Sequence, residues 1–233
     1  MAPNPIIDGI RACVFDAYGT IFDLVSATDR LSASLGEKAV PLGEVWRAKQ
    51  LQYTWLRSLT DEFTPFWQVT GEALDYAMEQ LGIHDDELRS SLMDGYRRLD
   101  AYPDVAPVLK RLRAAGYHTA ILSNGSGNML DSGVEHAGLG DLLDHVLSVD
   151  AVQIFKPDHR TYQMACDAFD VLPGEICFLS SNGWDAAGAA GFGFQVAWIN
   201  RADLPVERLP ARPKAIINSM EGLPALLGLE KPE

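Results

Sequence analysis

Residues 12–16, Ala-Cys-Val-Phe-Asp, form a short apolar run that ends in a carboxylate, and Ala-Tyr-Gly-Thr follows at 17–20. A short continuous apolar run is typical of a strand that is buried on both faces of a parallel sheet. Similar runs recur at 117–122, 176–179 and 194–199, and weaker ones at 145–149 and 214–217. We therefore predict that residues 12–16 are one strand of a parallel sheet, with Asp16 at its carboxyl end.

Apolar residues at helical spacing lie between several of these runs. Such spacing predicts helices, and Gly116 supplies a stop for one of them just before the run at 117–122. The two clearest sets are Val105, Val108, Leu109 and Leu112, and Tyr162, Ala165, Cys166 and Phe169. Strands that alternate with helices indicate an α/β fold with a parallel sheet.

The interval from 20 to 99 breaks this alternation, because it contains no convincing strand. Three sets of apolar residues at steps of three and four predict three helices instead. The sets are Ala48, Leu51, Trp55 and Leu59; Leu74, Ala77, Met78 and Leu81; and Leu88, Leu92, Tyr96 and Leu99. We predict a core domain formed by residues 1–19 and 100–233, with a helical cap subdomain inserted at 20–99.

The composition excludes several classes of protein. Of the 233 residues, 47% are hydrophobic and 22% are charged, which is ordinary for a globular protein. A net charge of −13 makes nucleic acid and anionic membranes poor partners, although an anionic small molecule can bind beside local cations. No apolar run is long enough to span a membrane, and no signal peptide is recognised. A cytoplasmic location is expected, since no metal spacing or disulfide framework links Cys13, Cys166 and Cys177.

Four polar clusters follow the apolar runs, at 16–20, 123–125, 156–157 and 180–185. In open parallel sheets, ligands bind beyond the carboxyl ends of the strands. Three of the clusters follow a strong run directly, and Lys156 comes a few residues after the weaker run at 145–149. We therefore expect all four clusters to meet in one crevice.

Each cluster has an ordinary structural interpretation when it is considered alone. Asp16 can cap a turn, Lys156 can lie in a surface loop, and residues 123–125 can simply form a turn. Taken together, the clusters favour Asp16 as a covalent nucleophile. A buried carboxylate needs donors and cations around it, and Thr20 and Lys156 are suited to supply them.

The clusters resemble the motifs of the haloacid dehalogenase superfamily, which are a strand-end Asp, a strand-end Ser or Thr, a Lys and an acidic strand-end cluster. The match is closer to one family in it, the L-2-haloacid dehalogenases. The matching segments are Asp-Ala-Tyr-Gly-Thr (16–20), Val-Trp-Arg-x-Lys-Gln-Leu (45–51), Ser-Asn-Gly (123–125), Lys-Pro (156–157) and Ser-Ser-Asn-Gly-Trp-Asp (180–185). Ala48, at the x position, departs from the polar residue of the family. The resemblance covers essentially the whole chain and implies a Rossmann-like core with an inserted helical cap.

The resemblance also implies an activity and a set of site residues. An (S)-2-haloacid dehalogenase hydrolyses short 2-haloalkanoic acids to (R)-2-hydroxy acids with inversion, through an ester on its aspartate. The implied catalytic residues are Asp16, Thr20, Arg47, Lys156, Ser180, Asn182 and Asp185. The implied substrate-binding residues are Tyr18, Leu51, Phe66, Ser123, Asn124 and Trp184, and the halide-binding residues are Arg47, Asn124 and Trp184. Asp185, oriented by Ser180 and Asn182, is the expected general base.

Arg47 has support from its position as well as from the resemblance. Arg47, Leu51 and Trp55 are four residues apart, so the guanidinium shares a helix face with apolar side chains. The alternative is an arginine that extends into water from the edge of that apolar face. Tyr162 also matches a family position, but its spacing fits core packing equally well, and no direct role is assigned to it.

Two other functions are considered. Superfamily phosphatases carry a second aspartate two residues after the nucleophile and further acids in the last motif that help hold Mg²⁺. Here those positions hold Tyr18 and the Ser-Ser-Asn of 180–182. A phosphate ester needs a proton donor for its leaving oxygen, whereas a halide needs none, so neither metal nor cofactor is predicted. The second alternative is a catalytically silent binding protein.

The predicted partner is a small-molecule 2-haloacid. The apolar cap helices also suggest a homodimer.

Overall fold

The computed structural model describes residues 5–24 and 35–229. Residues 25–34 of the predicted cap lie outside these ranges. Within them, the chain forms a parallel sheet with helices on both faces and a group of three helices inserted after the first strand.

The strands are β1 (Ala12–Phe15), β2 (His118–Ser123), β3 (His145–Ser148), β4 (Ile176–Ser180), β5 (Gln195–Ile199) and β6 (Ala215–Ile217). They form one parallel sheet in the order β3-β2-β1-β4-β5-β6. Every strand corresponds to one of the apolar runs in the sequence, so the α/β prediction is confirmed. β1 lies inside the sheet, between β2 and β4, which places the residue after it at the centre of the carboxyl edge.

Both faces of β1 are buried, which explains its uninterrupted apolar sequence. Cys13 and Phe15 belong to the apolar cluster on one face of the sheet, while Ala12 and Val14 belong to the cluster on the other. Successive side chains of a strand point to opposite faces, so a strand covered on both sides has no polar position.

The inserted helices are α1 (Ala39–Thr60), α2 (Phe66–Gln80) and α3 (Asp86–Tyr96). They coincide with the three helices predicted between 20 and 99. The chain leaves and re-enters the core side by side, because the Asp23 N–H donates to the Asp100 carbonyl (2.8 Å) and the Tyr102 N–H to the Ile21 carbonyl (3.0 Å). Below, "cap" names only α1–α3, and "core" names the sheet with α4–α8. The division of the chain into a core domain and a cap subdomain at 20–99 stays a prediction, and this adjacency agrees with it.

The remaining helices pack on the two faces of the sheet. They are α4 (Val105–Ala114), α5 (Gly127–His136), α6 (His159–Phe169), α7 (Gly183–Phe192) and α8 (Leu223–Leu226). α4, α5 and α8 contribute to the cluster on one face, and α6 and α7 to the cluster on the other. None of the described helices is long and apolar enough to cross a membrane.

The sequence pattern predicts α4 and α6 but neither α5 nor α7. α7 reads Gly-Trp-Asp-Ala-Ala-Gly-Ala-Ala-Gly-Phe, in which small residues replace the large apolar residues of a recognisable pattern. The small residues are needed for close packing. A Cβ added to Gly188 would lie 2.6 Å from Cβ of Pro157 and 2.7 Å from Oη of Tyr162. α7 therefore approaches the Lys156–Pro157 loop and α6 more closely than a larger side chain allows.

Candidate active site

The polar clusters meet at the carboxyl edge of the sheet, as predicted. Phe15 is paired with Ile121 of β2 and with Leu179 of β4, so the residues that follow these positions emerge together. Asp16 continues the pairing, because its N–H donates to the Leu179 carbonyl over 2.8 Å. Lys156 reaches the same edge from the segment between β3 and α6.

Asp16 is 6% exposed, and side chains from three separate parts of the chain contact its carboxylate. Oδ1 accepts a hydrogen bond from Lys156 Nζ at 3.1 Å. Oδ2 accepts one from Asn182 Nδ2 at 2.9 Å, and the hydroxyls of Thr20 and Ser180 lie 3.3 Å and 3.4 Å from it. These contacts hold the carboxylate plane in one orientation and supply the donors that a buried charge requires.

A tight turn brings Thr20 to the carboxylate. Gly19 has φ +85°, in the left-handed region that favours glycine, and an added Cβ would lie 2.9 Å from Ser181 Oγ. The Thr20 hydroxyl also accepts a hydrogen bond from the Ser181 N–H at 2.8 Å. The turn after β1 is thereby tied to the segment after β4.

Lys156 is 1% exposed and joins two carboxylates. Its Nζ donates to Asp16 Oδ1 at 3.1 Å and to Asp185 Oδ2 at 3.0 Å. Burial acts to lower the pKa of Lys156, but attraction to Asp16 and Asp185 outweighs it, and the pKa is raised above its ordinary value of 10.5. The lysine therefore stays positively charged at neutral pH.

Asp185 is fully buried, and its carboxylate lies between Lys156 and Tyr162. The Tyr162 hydroxyl donates to Asp185 Oδ1 over 2.8 Å. Burial raises the pKa of Asp185 above its ordinary value of 3.8, with a further increase from the charge of Asp16 and a partial decrease from Lys156. Burial also raises the pKa of Tyr162 well above its ordinary value, which keeps that hydroxyl a donor.

Two predicted contacts are not observed. We expected Ser180 and Asn182 to orient Asp185, but both side chains contact Asp16 instead. The reason is the start of α7 at Gly183, which carries the Asp185 side chain to Lys156 and Tyr162. The sequence analysis assigns no direct role to Tyr162. In the structure, its hydroxyl donates a hydrogen bond to Asp185, the candidate general base.

Arg47 extends from α1 of the cap to the core. Its Nη2 donates to Asn182 Oδ1 at 3.0 Å, and Asn182 Nδ2 in turn donates to Asp16 Oδ2 at 2.9 Å. Its Nη1 donates to Gln50 Oε1 at 2.7 Å. The Asn182 side-chain amide therefore links the Arg47 guanidinium to the Asp16 carboxylate. Arg47 is not a surface arginine that merely extends into water.

Ser123 and Asn124 lie at the end of β2, next to Lys156. Both are buried, and the Ser123 hydroxyl accepts a hydrogen bond from the Gly125 N–H at 3.1 Å. Asn124 Oδ1 accepts from the backbone N–H of Lys156 at 2.9 Å. Asn124 therefore anchors the backbone that carries the lysine, a contact that the sequence interpretation did not anticipate.

Aromatic rings from the core and cap form an apolar wall beside the carboxylate. The Tyr18 ring lies 6.1 Å from that of Phe66 and 5.5 Å from that of Tyr96, between ring centroids. Phe66 also lies 6.2 Å from Phe155, the neighbour of Lys156. Burial raises the pKa of both tyrosines, so their hydroxyls are neutral at this wall.

Trp184 and Leu51 lie at the boundary between cap and core. The Trp184 ring meets the Trp55 ring edge to face, with 5.4 Å between centroids. Leu51 is half-buried on α1, between Arg47 and Trp55. The face of α1 that carries Arg47, Leu51 and Trp55 therefore lies against residues 182–184.

The sequence interpretation missed the site contacts of Gln50, Tyr96, Trp55 and Phe155. Gln50 and Trp55 had a usable signal, since they lie three and eight residues after Arg47 on one helix. Tyr96 and Phe155 had none, because they reach the site from α3 and from the loop before Lys156.

Across residues 5–24 and 35–229, no three His, Cys, Asp or Glu side chains are grouped so that they could hold a metal ion.

Comparisons with known proteins agree with this arrangement. A family model described as haloacid dehalogenase-like hydrolase matches residues 10–193. (S)-2-haloacid dehalogenase 1 of Pseudomonas sp. strain CBS-3 is 46% identical over 95% of this chain and 98% of its own length. (S)-2-haloacid dehalogenase 4A of Burkholderia cepacia is 45% identical over 95% of this chain and 96% of its own length.

Solved structures extend the similarity to three dimensions. A dehalogenase crystallised as an intermediate complex is 44% identical and superposes with a TM-score of 0.93, over 96% of this chain and 100% of its own. The L-2-haloacid dehalogenase of Xanthobacter autotrophicus, with chloropropionic acid covalently bound, is 37% identical with a TM-score of 0.85, over 93% and 98% of the two chains. The motifs, the fold and these relatives together place the chain in the L-2-haloacid dehalogenase family of haloacid dehalogenase-like hydrolases.

Proposed function

We propose that this protein hydrolyses short (S)-2-haloalkanoic acids to (R)-2-hydroxy acids through an ester on Asp16. The observation that carries the proposal is the position of Arg47 relative to Asp16. The Asp16 carboxylate is buried among four hydrogen-bond donors, and one of them, the Asn182 side chain, also contacts the Arg47 guanidinium. The relatives named for this activity and the covalent chloropropionic acid complex support it.

In the first step, Asp16 attacks the α-carbon opposite the carbon–halogen bond. The new bond is between Asp16 Oδ1 and that carbon, the carbon–halogen bond breaks, and the halide leaves with the bonding electrons. Among the described residues one donor contacts Oδ1 and three contact Oδ2, so we assign the attack to Oδ1. Attack from the rear inverts the carbon.

Arg47 is the group that meets the departing halide, together with Asn124 and the edge of Trp184. Negative charge moves from Asp16 to the halogen during the step, so a fixed cation there stabilises the transition state more than the ground state. A preorganised donor of this kind contributes about 3 kcal/mol. No proton donor is required, because halide ions are weak bases.

The rest of the substrate contacts two kinds of surface. Its carboxylate binds the Ser123 hydroxyl and nearby backbone amides. Its alkyl part packs against Tyr18, Leu51, Phe66 and Trp184, which also exclude water from the carbon under attack.

In the second step, water attacks the carbonyl carbon of the Asp16 ester. Asp185 takes a proton from the water and returns it to the product oxygen as the ester bond breaks, so the 2-hydroxy acid leaves. Asp16, regenerated as a carboxylic acid, then releases its proton to solvent. The raised pKa of Asp185 makes it a stronger base than an ordinary carboxylate. Lys156 stays charged beside it and donates its hydrogen bond to the regenerated Asp16 carboxylate.

A single turnover in ¹⁸O-water tests this route. With enzyme in excess over substrate, the label should enter the Asp16 side chain, which peptide mass analysis detects. Label found in the hydroxy acid alone would mean that water attacks the substrate carbon directly, and the proposed ester would be wrong.

Chelators are expected to leave halide release unchanged. The positions at which superfamily phosphatases carry acids hold Tyr18 and the Ser-Ser-Asn of 180–182, and Lys156 supplies the positive charge beside Asp16. Chloride release from 2-chloropropionate is measured after dialysis against EDTA, with added Mg²⁺ as the control. Loss of activity on chelation, or Mg²⁺-dependent hydrolysis of phosphate esters, would favour the phosphatase.

The pH dependence of ester hydrolysis is expected to follow Asp185. The base works when ionised, and its raised pKa means that protonation begins above the ordinary value of 3.8. The rate of ester decay should therefore fall as the pH drops through this raised pKa. Lys156, with its pKa raised above 10.5, should cause no loss below that value. Rapid-quench measurement of the rates of ester formation and ester decay as a function of pH checks both expectations. A loss of rate at low pH in ester formation alone would contradict the assignment of Asp185 as the base.

Two expectations about the whole protein also stay predictions. A homodimer agrees with the apolar Leu56 and Leu59, which are 50% and 83% exposed one turn apart on α1. Light scattering of the purified chain measures the association. Cytoplasmic location is tested by fractionating cells that express the protein.

A further inference from the structure

A buried primary amide lies behind the Arg47 guanidinium. Gln50 belongs to α1 and is 0% exposed. Its Oε1 accepts from Arg47 Nη1 at 2.7 Å and from the Tyr96 hydroxyl at 3.3 Å, and its Nε2 donates to Thr70 Oγ1 at 2.8 Å. The amide thus contacts a residue on each of the three cap helices.

The orientation of this amide follows from the chemistry of its neighbours. A guanidinium can only donate hydrogen bonds, so the oxygen of Gln50 must face Arg47. The nitrogen then faces Thr70 Oγ1, which gives its own hydrogen to the Phe66 carbonyl at 2.7 Å and is left to accept. Exchanging the oxygen and nitrogen of Gln50 would set two donors against each other at Arg47.

The partners of Gln50 are themselves held in place. The Trp46 indole N–H donates to the Thr70 carbonyl at 2.8 Å, which ties α1 to α2 at the same level. The Tyr96 ring packs 5.2 Å from the Trp46 ring and 5.5 Å from the Tyr18 ring, between centroids. The amide oxygen is therefore fixed in position by packing on several sides.

The guanidinium is held at both ends. Asn182 Oδ1 accepts from Nη2 at 3.0 Å on the core side, and Gln50 accepts from Nη1 on the cap side. An arginine side chain has many rotamers. Hydrogen bonds that hold Arg47 in one of them before the substrate binds mean that this rotamer entropy is not lost during the reaction. Gln50 is thus the side-chain amide of the cap that accepts from Nη1, and the Tyr96 hydroxyl lies beside the same guanidinium.

We propose that Gln50 is a positioning residue for the carbon–halogen cleavage, holding Arg47 where the halide departs. This inference rests on the proposed function, in which Arg47 receives the halide. An amide is also suited electrostatically, because its oxygen accepts a hydrogen bond without neutralising the guanidinium. A carboxylate at this position would pair with Arg47 and reduce the positive charge offered to the leaving halide.

Two substitutions separate positioning from charge. Gln50→Met keeps the approximate volume and removes both hydrogen-bonding groups. Gln50→Glu keeps an oxygen towards Arg47 and adds a negative charge. The matched control is Thr54→Val, one turn further along α1. Thr54 is also 0% exposed and its hydroxyl bonds to the Leu51 carbonyl at 2.7 Å, away from the guanidinium.

Rapid-quench kinetics with 2-chloropropionate and 2-bromopropionate supply the readout. Gln50→Met should slow ester formation on the order of 10- to 100-fold, with ester hydrolysis and KM changed much less. The loss should be larger for chloride, the poorer leaving group, which needs more stabilisation. Gln50→Glu should slow ester formation at least as much, whereas Thr54→Val should leave both steps near the wild-type rates.

Inhibition by product halide gives a readout that a purely structural role would not change. Both Gln50 variants should bind bromide more weakly than the wild type at equal melting temperature. Equal slowing of both steps, the same loss for both halogens, or the same loss in Thr54→Val would overturn the positioning role. Failure of the wild type itself to release halide would overturn the proposed function, and the role of Gln50 with it.

Discussion

Asp16→Asn is expected to lower halide release from 2-chloropropionate by roughly 10⁴-fold or more. The substitution keeps the shape of the side chain and removes the negative charge that forms the bond to carbon. Lys156 and Asn182 would still face the new amide, but an amide oxygen is a far weaker nucleophile than a carboxylate. Steady-state chloride release and rapid-quench trapping of the ester measure the effect together.

The matched control for this variant is Asp131→Asn on the exposed side of α5, where a carboxylate is also replaced by an amide. It should retain wild-type activity. Because an asparagine can deamidate back to aspartate, intact-mass analysis and Asp16→Ala accompany the main variant. Turnover near the wild-type rate in Asp16→Ala would show that another group attacks the substrate.

Asp185→Asn is expected to stop the reaction at the ester. The first step does not use Asp185 as a base, so halide should be released once per active site. Ester hydrolysis should then slow by about 10²- to 10⁴-fold, the usual contribution of a general base. Mass spectrometry should find the substrate, joined through its α-carbon as an ester of Asp16, on the peptide that contains Asp16.

The structure indicates that this variant can fold. The amide oxygen of asparagine can keep the bond to Lys156, and its N–H₂ can donate to Tyr162 Oη, which also accepts hydrogen bonds. Tyr162→Phe is the companion variant, since it removes one contact of Asp185 and leaves the base. It should slow ester hydrolysis more mildly and leave ester formation near wild type. Full multiple turnover in Asp185→Asn would assign the base to another residue.

The inner strands of the sheet, β1, β2, β4 and β5, could be predicted because they have a local signature. Residues buried on both faces leave no polar position in the strand, and this is visible in the sequence around Val14 without knowledge of any contact. The convergence of Asp16, Ser123 and Ser180 followed from the same property, since parallel strands end at one edge. α7 escaped prediction because its packing depends on small residues such as Gly188 and not on an apolar pattern.

The partners within the site were harder to predict. Ser180 and Asn182 are close to Asp185 in sequence, yet both side chains contact Asp16. The turn into α7 directs the Asp185 side chain to Lys156 and Tyr162 instead. No spacing rule relates Tyr162 to Asp185 in the sequence, because a loop, a strand and a helix start separate them.

By itself, the sequence determined the α/β class, the helical insert and the chemical types gathered at the sheet edge, because burial periodicity and strand-end polarity are local. Tertiary structure alone decided which donor meets which carboxylate oxygen, the raised pKa of Asp185 and the contact of Gln50 with Arg47. Those properties depend on distances between residues remote in the chain and on the water excluded around them.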